Sequence, residues 1–386
     1  MEEFTYRQPT AIHFGFGATA QLGKIAARYG KTAILVTCAP TDFMQEKYAR
    51  AMKLLQEAGL TAVHYSGIGP NPLTSQIDEG IRIAHECNAD VVIALGGGSA
   101  IDAAKLIALC ARHGSADWPE FFAKYRGFRE TYPLPFASKL PLIAVSTTAG
   151  TGSQCTQAAV VTDVRTGLKT TIQHQGMFAA ECIVDPEQTM TMPFYMTACT
   201  AFDAFSHAFE SYLGAFTSPL TRTMSLESIR MILATLPKLR EENSPELRAK
   251  LSLADTYAGI CLSNGAGNLP HPLGEMIGSI CGICHGQTLA IVYPAFLRET
   301  WSQHVTQFAE VARIFDPALI SLNDSAAAAV LSDIVADFLK EIGIYHPLSD
   351  FHATQEQMDT ILNHPKWDTI RMADRATIQR ILAASF

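Results

Sequence analysis

Val91-Val92-Ile93-Ala94-Leu95-Gly96-Gly97-Gly98-Ser99-Ala100-Ile101-Asp102-Ala103-Ala104-Lys105 reads as a buried strand, a glycine turn and the start of a helix. The apolar run Val91–Leu95 is short enough for a strand and ends in glycines, which break it cleanly. Glycines let a backbone approach a pyrophosphate closely, and the helix start offers free N–H groups and a positive dipole end. The pattern is neither G-x-G-x-x-G nor the Walker loop, and a plain turn between a strand and a helix looks the same. A second loop, Ser146-Thr147-Thr148-Ala149-Gly150-Thr151-Gly152-Ser153-Gln154-Cys155-Thr156, follows another apolar run. Its hydroxyls and amides suit the same cleft, beyond the carboxyl ends of parallel strands.

The surrounding pattern agrees. Strands are expected at Thr32–Thr37, Thr61–Tyr65, Asp90–Leu95 and Pro141–Ser146, with helices near 44–58 and at Thr74–His85. Strands alternating with helices predict a parallel, Rossmann-like sheet covered on both faces. After Val184-Asp185-Pro186 the strand pattern stops, and long helical periods follow at 194–213, 218–236, 245–264, 286–302 and 304–314. The expected organisation is an α/β domain over 1–186 and an all-helical domain over 187–386.

Composition narrows the function. Apolar residues make up 48% of the 386 and charged residues 17%, so a large core is expected and disorder is not. The net charge of −8 and the lack of a basic run argue against nucleic acid. The N-terminus, Met1-Glu2-Glu3-Phe4-Thr5-Tyr6-Arg7, lacks the basic and apolar regions of a secretory leader. No apolar stretch reaches the ~20 residues of a membrane span. Nine cysteines without framework spacing fit a reduced, cytoplasmic setting. Cys281-Gly282-Ile283-Cys284-His285 matches the c-type haem signature C-x-x-C-H, but such attachment normally needs export. A redox pair or two small buried thiols also fit it.

The chemistry gathers in the second half. Asp203 and His207 are four residues apart, so a helix places both on one face. His271 and His285, each close to glycine, are fourteen apart. One carboxylate and three imidazoles suit iron(II) or zinc. A divalent ion with an open position polarises a carbonyl or stabilises an alkoxide, and a nicotinamide in the same cleft exchanges hydride with the adjoining carbon.

Gly96-Gly97-Gly98-Ser99 with Asp102 and Lys105, the loop Thr147–Ser153, Asp203, His207, His271 and Cys284-His285-Gly286 together resemble the iron-dependent (group III) alcohol dehydrogenases, in order along nearly the whole chain. The resemblance implies a dehydroquinate synthase-like architecture, with an N-terminal dinucleotide-binding domain, a helical C-terminal domain and the metal in the cleft between. It implies that Gly96, Gly97, Gly98 and Ser99 hold the pyrophosphate. Asn71, Asp102, Thr147, Thr148, Thr151, Ser153 and Lys169 are implied to line the NAD or NADP cleft. It implies Asp203, His207, His271 and His285 as ligands of Fe(2+), or of Zn(2+) in some branches, a homodimer or larger oligomer, and small alcohols or aldehydes as substrates.

Two departures matter. Many members carry His-x-x-x-His ahead of the last ligand, whereas here Gly267 lies four before His271 and Glu275 four after it. Either His271 is the ligand and Glu275 replaces the second histidine, or His271 is the second histidine and the first is lost. The fourteen-residue gap to His285 favours the former and makes Glu275 the candidate proton relay. NAD-preferring relatives place Asp after Val-Thr, and here Val36-Thr37 is followed by Cys38. A metal- and NAD-dependent lyase of the dehydroquinate synthase type is the alternative. The stretches Met190–Gly214 and Gly265–Pro294 contain no Lys or Arg to hold a phosphorylated substrate. Apolar neighbours Phe202, Phe205, Leu269, Ile277 and Ile280 suit either a pocket for short uncharged molecules or plain core packing.

Overall fold

The computed structural model describes residues 2–386. Met1, the first residue of the stretch read as lacking a leader, lies outside them. The chain divides into two compact units: Arg7–Thr191, and Met192–Phe386 with the N-terminal residues through Tyr6. The first unit closes at Thr191, slightly beyond the expected 186. Lys47 Nζ donates to Gln188 O at 2.6 Å and Gln188 Nε2 to Thr19 Oγ1 at 3.2 Å, which pins the extra residues to the α/β unit.

The α/β unit holds a parallel six-stranded sheet: β1 (Ala11–Phe14), β2 (Thr32–Cys38), β3 (Thr61–Ile68), β4 (Val91–Gly96), β5 (Leu142–Ser146) and β8 (Glu181–Val184), in the order β1-β8-β5-β4-β2-β3. Strands β6 (Ala158–Thr162) and β7 (Lys169–Gln173) form a separate antiparallel hairpin. Every residue of β4 and β5 is buried, as expected of strands covered on both faces. The crossovers are α1 (Leu22–Ala26), α2 (Asp42–Glu57), α3 (Thr74–Glu86), α4 (Gly98–Cys110) and α5 (Trp118–Lys124). Helix α3 buries Ile77, Gly80, Ile81 and Ala84, one stripe of a 3.6-residue period. Helix α4 is buried from Ala100 to Cys110, with Asp102 and Lys105 as the two charged residues in an otherwise apolar run. Gly96 pairs with Ser146 across β4 and β5, which places the two glycine loops side by side. β3 and β4 lie on opposite sides of β2, the switch of strand order at which such sheets bind dinucleotides.

The second unit is helical: α6 (Phe194–Leu213), α7 (Pro219–Glu241), α8 (Pro245–Gly265), α9 (Pro270–Cys281), α10 (His285–Thr300) and α11 (Val305–Phe315), then shorter helices to α15 (Arg375–Ser385). Helix α7 runs through Pro237 to Glu241, beyond the expected end at 236, because Leu236 and Leu239 both bury. Helix α9 falls in the gap between the expected helices 245–264 and 286–302. Pro270 and Pro272 fall in its first turn, where a missing N–H costs little, and Gly282 at φ 69 stops it.

Phe202, Phe205, Leu269 and Ile277 are buried. Phe202 and Phe205 stack with centroids 5.3 Å apart, and Tyr293 meets both edge-on. These four residues are buried in the helical unit, Phe202 and Phe205 from α6, Leu269 and Ile277 from the start and body of α9.

Candidate metal centre and nucleotide loop

Helix α6 presents Asp203, His207 and Glu210 on one stripe, at spacings of four and three. His271 lies in the first turn of α9, and His285 is the first residue of α10. Asp203 Oδ1 is 3.5 Å from His207 Nε2, 3.5 Å from His271 Nε2 and 3.7 Å from His285 Nε2. These separations exceed a good hydrogen bond. They match the edge of a coordination sphere: two ligands each about 2.1 Å from one ion at the tetrahedral angle lie about 3.4 Å apart. Asp203, His207 and His271 offer ligand atoms that all fall within 4.8 Å of one another. Asp203 is only 4% exposed, yet its Oδ1 and the Nε2 of His271 have no hydrogen-bond partner. Buried polar atoms of that kind cost several kcal/mol unless something satisfies them.

The electrostatics ask for a cation. Burial alone would raise the Asp203 carboxyl, but His207, His271 and His285 outweigh it and hold it well below the usual carboxylate range. Burial alone would lower the His271 imidazole, but Glu210 and Asp203 outweigh it and raise it to about 10. Two buried carboxylates therefore attract positive charge to this point, and a metal ion meets that demand by displacing a proton. The donor set and the unsatisfied atoms fit a divalent ion.

Glu210 was missed in the sequence. It is fully buried; it accepts from Ser206 Oγ at 2.6 Å and from Asn268 N at 2.5 Å, and its Oε1 lies 2.7 Å from His271 Nδ1. This carboxylate fixes which nitrogen of His271 faces the centre. The available signal was an acidic residue in an apolar helix, seven after Asp203. Glu275 lies one turn after His271, and its carboxylate pairs with Lys366 Nζ at 3.5 Å. A cation thus reaches helix α9 from far along the chain, although none lies nearby in sequence. Cys284 Sγ faces Cys199 Sγ at 3.9 Å and Tyr195 Oη at 3.8 Å.

In the α/β unit, helix α4 begins at Gly98 with no side-chain cap and no acidic residue in its first turn. Its free N–H groups and positive end suit a phosphate. A Cβ on Gly97 would lie 3.0 Å from Thr148 Cγ2, and one on Gly98 2.9 Å from Thr151 Cγ2. The glycines thus admit the second loop against the first. Thr148 Oγ1 is buried without a partner, as a cofactor contact would leave it before binding. Lys169 Nζ donates to Asn71 Oδ1 at 2.9 Å, so the structure brings these two residues together.

Asp102 and Ser153 are engaged internally. Ser153 Oγ donates to Asp102 Oδ1 at 2.5 Å, and Val160 N donates to Asp102 Oδ2 at 2.8 Å. The buried Lys105 donates to Ser153 Oγ at 2.8 Å, Thr156 Oγ1 at 3.0 Å and Ala158 O at 2.6 Å. This network ties the two loops together. Cys38 sits at the end of β2, where Thr37 Oγ1 donates to its carbonyl at 2.9 Å and lies 2.9 Å from His64 Nε2.

Residues 9–186 match the family model "Iron-containing alcohol dehydrogenase", and residues 197–386 match its C-terminal counterpart, "Fe-containing alcohol dehydrogenase family, C-terminal". A probable NADH-dependent butanol dehydrogenase 1 of Bacillus subtilis (strain 168) is 30% identical over 94% of this chain and 92% of its own. A 1,3-propanediol dehydrogenase of Citrobacter freundii is 28% identical over 90% of this chain and 88% of its own. Among solved structures, an archaeal halo-thermophilic Red Sea brine pool alcohol dehydrogenase superposes with a TM-score of 0.89 at 29% identity, covering 100% of both chains.

Proposed function

Since the chain belongs to the iron-containing alcohol dehydrogenase family, we propose that it transfers hydride between NAD and a small, uncharged primary alcohol or aldehyde. The observation that carries this is the single oxygen, Asp203 Oδ1, facing three imidazole nitrogens at 3.5, 3.5 and 3.7 Å. Asp203, His207, His271 and His285 are the residues that would hold the ion, with iron(II) the first choice and zinc the second, since both accept this donor set. When bound, that ion supplies Lewis acidity to an alcohol or carbonyl oxygen.

The protein's own groups do the rest. Glu210 holds His271 with its Nε2 free for the ion. The start of α4 and Thr148 bind the pyrophosphate, with Gly96 to Ser99 giving close approach. Asn71, Thr147, Thr151 and Lys169 complete the cofactor reading, and Asp102 and Ser153 shape the loops from behind. Glu275 takes the proton-relay position left by the missing histidine, and Lys366 balances its charge.

NAD is preferred over NADP because no cation accompanies Cys38 in sequence, and because the butanol dehydrogenase relative is named as NADH-dependent. The lyase reading loses ground because the relatives named above are alcohol dehydrogenases. None of the nine cysteines is in a disulfide, and a reducing, cytoplasmic setting belongs to the same proposal. No helix among the described residues is long and apolar enough to cross a membrane. A homodimer or larger assembly belongs to the same proposal, and sedimentation checks it.

The test is a metal analysis joined to a panel of alcohols and aldehydes with both nicotinamides. Chelation and His271→Ala should each abolish alcohol-dependent NAD reduction. Full activity in the metal-free protein would overturn the reading.

A further inference from the structure

Cys199 and Cys284 have no part in the chemistry above, yet they lie against the metal centre. Cys199 is one helical turn before Asp203 on α6, and Cys284 caps α10 immediately before His285. Their sulfurs are 3.9 Å apart. The backbones around them are locked together, because a Cβ on Gly286 would fall 2.0 Å from the carbonyl oxygen of Cys199. Cys199 is 2% exposed, while Cys284 is half-buried, so a small molecule meets Cys284 first.

We propose that Cys199 and Cys284 are a peroxide-responsive thiol pair whose disulfide loosens the metal centre, an inference that rests on the metal site proposed above. The Cys284 sulfur attacks hydrogen peroxide, the O–O bond breaks, and a sulfenic acid and water form. The Cys199 sulfur then attacks the Cys284 sulfur, an S–S bond forms, and a second water leaves with the remaining thiol proton. Both thiols are oxidised together by two electrons and one peroxide is reduced. A dithiol reductant reverses the bridge. Closing the pair to the ~2.0 Å of a disulfide brings the two sulfurs about 2 Å closer, and with the backbones in contact at Gly286 the strain falls on the turn at Cys284. His285 is its covalent neighbour and moves with it, changing the 3.7 Å approach to Asp203.

The experiment uses full-length protein loaded with zinc, which brings no redox chemistry of its own. It is titrated with hydrogen peroxide, the remaining thiols are blocked, and the chain is digested for peptide mapping while zinc release is followed with a chromogenic chelator. The expected result is a crosslinked peptide joining Cys199 to Cys284, zinc held at least about tenfold more weakly, and recovery of both after dithiothreitol. Cys199→Ser and Cys284→Ser, made separately, should keep zinc at the same peroxide dose. Cys281→Ser should bridge like the wild type. A bridge between Cys281 and Cys284, or no bridge, overturns the pairing. A bridged protein that holds zinc as tightly as before overturns the coupling. A chain that never takes up zinc overturns the metal reading, while the peptide map still decides the pairing.

Discussion

Glu210 shows how one residue sets the behaviour of others. It touches no proposed reacting atom, yet it fixes His271 and accepts hydrogen bonds from the Asn268 backbone N–H and the Ser206 hydroxyl. Glu210→Gln keeps the shape and removes the charge. We expect zinc or iron affinity to fall about 10- to 100-fold with the circular dichroism unchanged, read by competition with a calibrated chelator. An unchanged affinity would show that His271 needs no orienting partner. Glu275, one turn after His271 on α9, makes a different prediction, because it is proposed as the proton relay and not as a ligand. Glu275→Gln should lower kcat about 100-fold or more and flatten its pH profile while metal content stays at wild-type level. Loss of metal instead would make Glu275 a ligand. The sequence showed Asp203 and His207 through helical spacing, and His271 and His285 through a fourteen-residue gap with a glycine close after each. It hid Glu210 because a carboxylate in a helix is ordinarily a solvent-facing residue. It hid Lys366 because the contact with Glu275 spans ninety-one positions, and no local pattern encodes such a distance.

Elements place these residues through close backbone contacts. Helix α10 can deliver His285 only because Gly286 admits the carbonyl of Cys199. Gly286→Ala puts a carbon where backbone stands, and neither helix can yield cheaply. We expect a loss of about 2 kcal/mol or more in stability and weak metal binding, measured by denaturant unfolding and metal titration together. Wild-type values for both would mean the helices approach less closely. At the sheet edge, β1 is held to β8 through Glu181, which lies 2.6 Å from His13 Nε2, accepts from Tyr29 Oη at 2.7 Å and pairs with Arg28 at 2.7 Å. Burial raises the Glu181 carboxyl, but His13, Tyr29 and Arg28 outweigh it and leave it lowered. A carboxyl lowered on folding adds stability above its unfolded value of about 4.3 and loses it as pH falls through the folded value. Glu181→Gln should therefore cost about 2 kcal/mol at pH 7, and the two proteins should converge in acid. A constant gap down to pH 2 would sink this assignment. Strands β2, β4 and β5 were legible because four or five apolar residues in a row carry a signal, and β3 through its β-branched and aromatic residues between turns. β1 and β8, four residues each, depend on pairing with each other, and α9 was obscured by two prolines that its first turn accommodates.

Across the whole molecule, the chemistry divides between two units that each enclose their own set of residues. Every proposed cofactor contact, from Asn71 to Lys169, lies within Arg7–Thr191, and every proposed metal ligand lies within Met192–Phe386. Ligands stabilise only the folded element that binds them, by about 2.7 kcal/mol at a concentration one hundred times Kd. NAD should therefore slow amide exchange at Gly97–Ala103 and in the loop after β5. Chelation should speed it in α6, α9 and α10, which carry the four proposed ligands, three histidines and Asp203. Hydrogen exchange read by mass spectrometry at peptide resolution checks both effects in one preparation. Glu210→Gln adds a third arm, since it should mimic partial chelation in α9 without altering the response to NAD. If chelation instead opened the β4–α4 loop and left α9 and α10 protected, the metal would not belong to Asp203, His207, His271 and His285.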